Sequence, residues 1–258
     1  MSIQLVIFDW AGTLVDFGCC APLAAFCEAF AARGLPISEA VARGPMGAHK
    51  RDHVREILDC PEIAARVRSE LHREPDATLV AEIYDEFCRR LPAALPRHAT
   101  PIPGAVEVLA WLRARGIRVG STTGYTRAMM DVLEPVARAA GVAPDAVICA
   151  DEVPQSRPAP WACFRLAERF GVYPMTHVVK VGDTAADIAE GLNAGMWALG
   201  IGATGNEVGL NEAALTALAA PERAARIATA EQRLRVAGAN AVFGSVAELP
   251  AWIEAHTR

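Results

Sequence analysis

Short, mostly apolar runs alternate along this chain with longer segments in which apolar residues recur at helical spacing. Four runs are each followed by small or polar residues and then by a helical pattern; they lie at 5–8, 117–120, 146–150 and 178–181. A nearly continuous apolar run of this length is typical of a strand buried on both faces of a parallel sheet. Alternation of such strands with helices predicts an α/β fold with a doubly wound parallel sheet.

A long stretch between the first two predicted strands has a different pattern. Apolar residues recur at roughly helical periods in four segments, 22–34, 37–58, 61–72 and 77–91. A proline-rich stretch at 91–104 then leads to a predicted helix at 104–115. We therefore predict two domains: a core made of 1–18 and 98–258, and an α-helical cap domain, 19–97, inserted into it.

Polar residues follow the first two predicted strands where each strand ends. Asp9 comes directly after the first strand and opens a glycine-containing turn. Because α/β enzymes place chemistry at the carboxyl ends of such strands, Asp9 is a candidate nucleophile or metal ligand. By itself, Asp9 is explained equally well as a residue that caps the turn. After the second strand, Thr122, Thr123 and Gly124 offer hydroxyl and N–H groups that suit phosphoryl oxygens.

An acidic pair and a basic residue follow the later strands. Asp187 lies one helical turn beyond Asp183, so the two carboxylates share a face. A nucleophilic carboxylate, a hydroxyl, a basic residue and an acidic pair, in this order on successive strands, resemble the haloacid dehalogenase (HAD) superfamily. The four matching motifs lie at 9–16, 122–124, Arg157 and 182–187. This resemblance covers nearly the whole chain and implies a HAD-like doubly wound core with an inserted α-helical cap domain.

Two positions depart from the usual phosphatase pattern of the superfamily. Most relatives carry a second Asp two residues after the nucleophile, where it acts as a general acid, and this chain has Ala11 there. A phosphomonoesterase would lack the proton donor for its leaving group. The superfamily's basic residue is usually Lys, and here it is Arg157, whose guanidinium also binds phosphate oxygens well.

Lysine is rare in this chain. Lys and Arg together number 25, yet only Lys50 and Lys180 are lysines. Pro45 suits the first turn of a helix, on which Met46, Lys50 and His53 share a largely apolar face. A lysine in such surroundings is a candidate low-pKa amine that can form a Schiff base. The alternative is a lysine that extends to solvent from the edge of a packed helix.

The missing acid and the added lysine fit one reaction. Cleaving a phosphorus–oxygen bond requires a proton for the leaving group, whereas cleaving a phosphorus–carbon bond requires an acceptor for the carbanion's electrons. An imine on Lys50 is such an acceptor if the substrate carries an aldehyde one carbon from phosphorus. This combination resembles the phosphonatase branch of the superfamily, the phosphonoacetaldehyde hydrolases. The matching segments are Ala-Gly-Thr after Asp9, Met-Gly-x-x-Lys-x-x-His, and Gly-Ser-Thr-Thr-Gly-Tyr-Thr-Arg.

The resemblance implies a role for each matching residue. Asp9 would attack phosphorus and form an aspartyl phosphate, while Lys50 holds phosphonoacetaldehyde as a Schiff base, and the products would be acetaldehyde and phosphate. The implied catalytic residues are Asp9, Lys50, Arg157, His53 and Met46. The implied substrate- and phosphate-binding residues are Thr123, Gly124, Tyr125, Cys19 and Gly47. The implied ligands of Mg²⁺ are Asp9, the backbone carbonyl of Ala11, Asp183 and, through water, Asp187.

Composition limits the partners of the protein. The chain has 258 residues, is 52% hydrophobic and carries a net charge of −5, so it lacks the basic surface that nucleic-acid binding requires. No segment is long and uncharged enough to predict a membrane span. Seven cysteines without a CxxC pair, and no secretory signal, predict reduced thiols in a cytoplasmic protein. Members of the family are usually dimers that meet through their caps, so we expect a homodimer.

Two alternative functions remain at this point. One is a HAD-type phosphatase or phosphomutase that acts on a small phosphate ester, against which Ala11 argues. The other is a catalytically silent module that binds an anionic metabolite, against which the intact acidic motifs argue.

Several local choices also stay open. Either Thr122 or Thr123 contacts the phosphoryl group, and either Cys19 or Cys20 faces the substrate. The GxGxxG pattern at 200–205 is similar to a dinucleotide-binding loop, but it lies late in the chain and lacks an acidic partner.

Overall fold

Six parallel strands form the sheet at the centre of the molecule. The computed structural model describes residues 2–256. The strands are β1 (Leu5–Phe8), β2 (Arg118–Thr122), β3 (Ala146–Ile148), β4 (Val178–Gly182), β5 (Trp197–Ile201) and β6 (Ala241–Phe243). Their order across the sheet is β3-β2-β1-β4-β5-β6, and every neighbouring pair is parallel. The predicted doubly wound α/β fold is confirmed.

Twelve α-helices surround or extend from this sheet within the described residues. They are α1 (Cys20–Ala31), α2 (Glu39–Arg43), α3 (Lys50–Asp59), α4 (Pro61–Glu70), α5 (Ala77–Ala94), α6 (Ala105–Ala114), α7 (Arg127–Ala139), α8 (Trp161–Phe170), α9 (Ala185–Asn193), α10 (Glu212–Ala217), α11 (Ala220–Val236) and α12 (Leu249–His256). Short 3₁₀ helices occur at Leu95–His98, Ala150–Glu152, Met175–His177 and Val246–Glu248. We call α1–α5 the insertion, since these helices lie between β1 and β2 in the chain. In residues 2–256, no helix is long and apolar enough to cross a membrane.

Strand β1 lies in the middle of the sheet and sets the position of the site. Phe8, its last residue, is opposite Ser121 on one side and Val181 on the other. The residues that follow these three strands therefore emerge together at one edge of the sheet. Strand β2 follows β1 in the chain and lies on one side of it, whereas β4 lies on the other side. The order of the strands therefore reverses at β1, and open α/β sheets bind ligands at such a switch point.

The predicted helix at 37–58 is wrong, because the structure divides it. Helix α2 ends at Arg43, α3 begins at Lys50, and the residues between them form turns. Pro45 therefore does not lie in the first turn of α3. Gly47 has φ +95°, a left-handed conformation that breaks the helix and that other residues rarely adopt. The break lets this loop, which we call the 44–49 loop, reach the end of the sheet.

A stack of three rings forms the centre of the insertion. The Phe26 ring lies 4.2 Å from the Phe87 ring and 3.9 Å from the His53 ring, centroid to centroid. All three side chains are fully buried. The stack joins α1, α3 and α5, and so it fixes the helix that carries Lys50.

We expect Phe87→Ala to lower the free energy of unfolding by about 3–5 kcal/mol, because it removes a buried ring and leaves a cavity. Phe164→Ala is the matched control, since Phe164 is 38% exposed on α8, and its cost should stay below about 1 kcal/mol. Chemical denaturation of both variants measures the difference. Equal losses would show that the ring stack contributes no more than a surface ring.

Candidate active site

Asp9 follows the last residue of β1 and begins a tight turn, which packs against Asp183 at the end of β4. Its backbone N–H donates to Val181 O at 2.9 Å, which continues the pairing of β1 with β4. Gly12 in the turn has φ +84°, and a Cβ there would lie 2.3 Å from Asp183 Oδ2. Only glycine therefore lets the turn approach Asp183 so closely. The carboxylates of Asp9 and Asp183 are brought together as the sheet topology requires.

Three buried carboxylates meet at this edge of the sheet. Oxygen atoms of Asp9, Asp183 and Asp187 lie within 4.8 Å of one another. Thr184 caps α9, and its hydroxyl donates to Asp187 Oδ2 at 2.6 Å. Burial and the neighbouring carboxylates raise the pKa of Asp183 well above its ordinary value. Burial and Asp187 also raise the pKa of Asp9.

Two buried cations compensate part of this charge. Arg157 Nη1 lies 2.7 Å from Asp9 Oδ1 and 2.8 Å from Asp187 Oδ1, and its Nε donates to Glu190 at 3.0 Å. Lys180 Nζ lies 3.0 Å from Asp187 Oδ1 and 3.1 Å from Glu190 Oε2. Burial would raise the pKa of Asp187, but Arg157 and Lys180 hold it below its ordinary value.

The donor set fits a divalent cation. Four buried carboxylates, Asp9, Asp183, Asp187 and Glu190, face two fully ion-paired cations, Arg157 and Lys180. Among these six groups the carboxylates outnumber the cations, and burial makes their mutual repulsion costly, so a bound divalent ion would stabilise the charged carboxylates. The carboxylate oxygens and the carbonyl of Ala11, which lines the same cavity as Asp9 and Asp183, are hard ligands of the kind that Mg²⁺ prefers.

The hydroxyls of the two adjacent threonines have different surroundings. Thr122 Oγ1 accepts from Lys180 Nζ at 2.8 Å and donates to Glu190 at 2.9 Å, so it belongs to the layer beneath the site. Thr123 lies in the wall of the cavity, next to Gly124. The geometry therefore favours Thr123 as the residue that reaches a phosphoryl oxygen.

Lys50 approaches the carboxylates from the insertion. Its side chain is buried, with Nζ 3.9 Å from Met46 Sδ and 5.3 Å from the centre of the Tyr125 ring. Burial lowers the pKa of Lys50 to about 8, although Asp9 opposes this effect. The alternative of a lysine extended to solvent is therefore wrong, and a substantial fraction of this amine is neutral at mildly alkaline pH.

His53 lies behind Lys50 rather than beside the reacting groups. Its Nε2 donates to Ala42 O at 2.8 Å, and burial followed by the charge of Lys50 holds its pKa well below the ordinary value. The ring is therefore neutral and forms part of the packing that supports α3.

The two adjacent cysteines have different surroundings. Cys19 places Sγ 3.1 Å from Ala11 O and 3.3 Å from Asp183 Oδ2, whereas Cys20 Sγ bonds to Phe17 O. Of the two, Cys19 therefore faces the cavity.

The predicted site residues surround a single small cavity. Its walls are Asp9, Ala11, Cys19, Pro22, Met46, Gly47, Lys50, Thr123, Gly124, Tyr125, Arg157, Asp183 and Thr184. Of the predicted residues, His53 and Asp187 lie behind this wall. The volume of the cavity is about 20 Å³, which is enough for about one water molecule.

Sequence reasoning missed the supporting roles of Lys180, Glu190 and Asn206 behind the site, and it named Thr122 only as a possible phosphoryl contact. Lys180, Glu190 and Thr122 form the ion-paired layer under Arg157, and Asn206 donates its backbone N–H to Asp183 Oδ2 at 2.7 Å. Lys180 had a recognisable signal, since a lysine in an otherwise apolar buried strand requires a buried partner. Glu190 and Asn206 had none, because their partners lie far away in the sequence.

Comparisons with known proteins point to one family. The family model for haloacid dehalogenase-like hydrolases matches residues 3–195. A phosphonoacetaldehyde hydrolase from Bacillus cytotoxicus is 46% identical over 98% of this chain and 96% of its own length. One from Syntrophobacter fumaroxidans is 44% identical over 98% of this chain and 91% of its own. A solved phosphonoacetaldehyde hydrolase like protein from Oleispira antarctica is 37% identical and has a TM-score of 0.97, covering 100% of this chain and 94% of that chain.

The chain belongs to the phosphonoacetaldehyde hydrolases, a family of HAD-like hydrolases. The family resemblance read from the sequence motifs is thus confirmed. Its clustered Asp9, Asp183 and Asp187 could hold a metal ion, and Ala11 lies two residues after Asp9.

We expect Asp183→Asn to have two opposite effects. It removes a candidate metal ligand, so the affinity for Mg²⁺ should fall by about 100-fold or more. It also removes a buried charge that neighbouring carboxylates repel, so the melting temperature of the metal-free protein should rise. Calorimetric titration and thermal unfolding measure the two effects.

The exposed Asp131 on α7 provides the control. Asp131→Asn makes the same chemical change and should leave both quantities unchanged. Mg²⁺ binding that survives in Asp183→Asn would rule out Asp183 as a ligand.

Proposed function

We propose that this protein hydrolyses the carbon–phosphorus bond of phosphonoacetaldehyde, which yields acetaldehyde and phosphate. The observation that carries the proposal is the single cavity that joins a buried low-pKa lysine, a buried carboxylate and no acid at residue 11. The names of the relatives support the same substrate.

Lys50 is suited to hold the aldehyde. Its pKa of about 8 leaves about a tenth of the amine neutral at pH 7, compared with less than about a thousandth for an ordinary lysine. The neutral amine attacks the aldehyde carbon, and loss of water gives a protonated imine. Met46 and Tyr125 beside Nζ keep this group away from bulk water.

Asp9 then attacks phosphorus. The P–C bond breaks as the Asp9 carboxylate oxygen bonds to phosphorus, and the electron pair moves to the imine and gives an enamine on Lys50. Water hydrolyses the aspartyl phosphate to phosphate, while the enamine gains a proton and its imine is hydrolysed to acetaldehyde. Arg157, Thr123 and the backbone N–H of Gly124 face the phosphoryl oxygens from the cavity wall.

Mg²⁺ at Asp9, the Ala11 carbonyl, Asp183 and Asp187 would reduce the repulsion between the anionic nucleophile and the anionic phosphonate. Side chains around the metal site orient the attacking carboxylate. Arg157 holds Asp9 at 2.7 Å and so fixes the direction of the attacking oxygen.

Ala11 separates this reaction from ester hydrolysis. A phosphate ester requires an acid near its leaving oxygen, and the side chain recorded against the Ala11 backbone is the thiol of Cys19, with Sγ 3.1 Å from Ala11 O. Burial and Asp183 raise the pKa of the Cys19 thiol well above its ordinary value, so it is a poor proton donor. An enamine leaving group needs no acid at this position.

The small cavity requires movement of the insertion. Lys50 belongs to the insertion and Asp9 to the core, and the space between them does not admit the substrate. We propose that residues 19–97 act as a cap domain that opens for binding and closes for reaction, which excludes water from the imine. The homodimer through this cap and the cytoplasmic location stay predictions.

Borohydride reduction in the presence of phosphonoacetaldehyde tests the imine directly. We expect a stable adduct on the peptide that contains Lys50 and none on the peptide that contains Lys180, which is fully buried and ion-paired. Lys50→Arg keeps the charge but forms no imine, so phosphate release should fall by more than about 1,000-fold.

Arg55→Ala, on the exposed side of the same helix, is the matched control and should keep full activity. Phosphate release from phosphonoacetaldehyde by Lys50→Arg at the normal rate would contradict the mechanism. Turnover of phosphate esters in place of the phosphonate would support the phosphatase alternative.

The rate of imine formation should depend on pH through Lys50. The folded pKa of about 8 lies below the ordinary 10.5, so the reactive neutral form increases about tenfold per pH unit below pH 8 and then levels off. Borohydride trapping after short mixing times at a series of pH values measures this profile. A rate that keeps rising to about pH 10 would show that Lys50 has an ordinary pKa.

A further inference from the structure

The glycine-rich segment after β5 has a structural role beside the acidic cluster. We call residues 202–210 the β5 loop. Its Asn206 N–H donates to Asp183 Oδ2 at 2.7 Å, and its Thr204 hydroxyl donates to Gly12 O, in the Asp9 turn, at 2.7 Å. A Cβ at Gly205 would lie 2.3 Å from Asp183 Cβ, so only glycine permits this approach. The loop that is similar to a dinucleotide motif thus supports a candidate metal ligand.

The same loop receives the insertion through Arg43, at the end of α2. Arg43 Nη1 donates to Gly18 O at 2.8 Å and to Asn206 Oδ1 at 3.2 Å, and Nη2 donates to Gly209 O at 2.9 Å. In return, Asn206 Nδ2 donates to Arg43 O at 3.3 Å. One guanidinium of the insertion therefore contacts the segment just before α1 and two points of the β5 loop.

Asn206 joins these two sets of contacts. Its side chain bonds to Arg43 of the insertion, and its backbone N–H bonds to Asp183 of the core. Asn206 is only 6% exposed, so water does not readily replace these bonds. We propose that Arg43 and Asn206 are positioning residues that couple docking of the insertion on the core to the orientation of Asp183.

The coupling has a thermodynamic consequence. If docking of the insertion orients Asp183 for Mg²⁺, then bound Mg²⁺ must stabilise the docked insertion by the same free energy. This inference rests on the proposed function only because it takes Asp183 as a magnesium ligand. It concerns Mg²⁺ and the insertion, and no phosphonate substrate enters the test.

Calorimetric titration of the full chain with Mg²⁺ alone tests the coupling. Arg43→Ala and Asn206→Ala should each weaken Mg²⁺ binding by about 5- to 10-fold. The double variant should be no weaker than the weaker single variant, because both substitutions interrupt one connection. Full additivity of the two losses would overturn the proposal.

The direction in which Mg²⁺ affinity changes distinguishes this proposal from a purely electrostatic effect of Arg43. Loss of a positive charge near the site should by itself strengthen Mg²⁺ binding. Arg226→Ala is the matched control, because Arg226 is exposed and lines the same cleft of about 520 Å³ as Arg43. Unchanged or tighter binding in Arg43→Ala, as in this control, would overturn the proposal.

Arg43→Lys keeps the charge and guards against a folding defect of Arg43→Ala. One ammonium group cannot span the three acceptors, so its Mg²⁺ affinity should also fall, and an unchanged affinity would overturn the proposal. Amide hydrogen exchange supplies a second readout. Mg²⁺ should slow exchange in α2 of the unmodified protein and have no such effect in Arg43→Ala.

These measurements distinguish the two proposals. The expected Mg²⁺ pattern without cleavage of phosphonoacetaldehyde would support the coupling and overturn the proposed function. Cleavage of phosphonoacetaldehyde with unchanged Mg²⁺ affinities in the variants would support the proposed function and overturn the coupling.

Discussion

The compensation of buried negative charge at the end of the sheet is the constraint on which the rest of the site depends. Oxygen atoms of three aspartates lie within 4.8 Å of one another, and burial increases the free-energy cost of their repulsion. Arg157 and Lys180 offset part of it, and Glu190 connects the two cations from beneath. The remaining repulsion favours a divalent ion, so metal binding at this cluster would act on the same carboxylates that destabilise the metal-free fold.

This constraint also explains the use of an arginine at residue 157. Its planar fork reaches Asp9, Asp187 and Glu190 at once, and Nη2 donates to Thr122 Oγ1 at 2.9 Å. A lysine ammonium at the end of a flexible chain does not fit four such acceptors in fixed directions. The lysine of the cluster enters instead from β4, where Lys180 is fully buried.

Close approach of backbone segments is the second requirement of the closed site. Gly12 faces Asp183, and a Cβ at Gly47 would lie 2.4 Å from Thr184 Oγ1. A Cβ at Gly124 would lie 2.7 Å from Ala48 O. Glycine thus stands where the 44–49 loop meets the core, and the approach brings Lys50 into the same cavity as Asp9.

The sequence by itself determined four of the six strands, the order of the motifs and the chemical types of the candidate site residues. These features are local: an apolar run predicts a strand, and Asp9, Asp183 and Lys50 are recognised from their immediate neighbours. Ala11 two residues after Asp9, taken together with Lys50, favoured carbon–phosphorus cleavage over ester hydrolysis.

Only the tertiary structure decided which side chains meet across long separations. Lys180, Glu190 and Thr122 lie on three different elements, and Arg43 reaches Asn206 across 163 residues. The close approach of Gly47 to the core, where a Cβ would lie 2.4 Å from Thr184 Oγ1, is likewise visible only in the folded structure. Local periodicity carries no information about such pairings, because they follow from strand order and from the balance of charge in the folded interior.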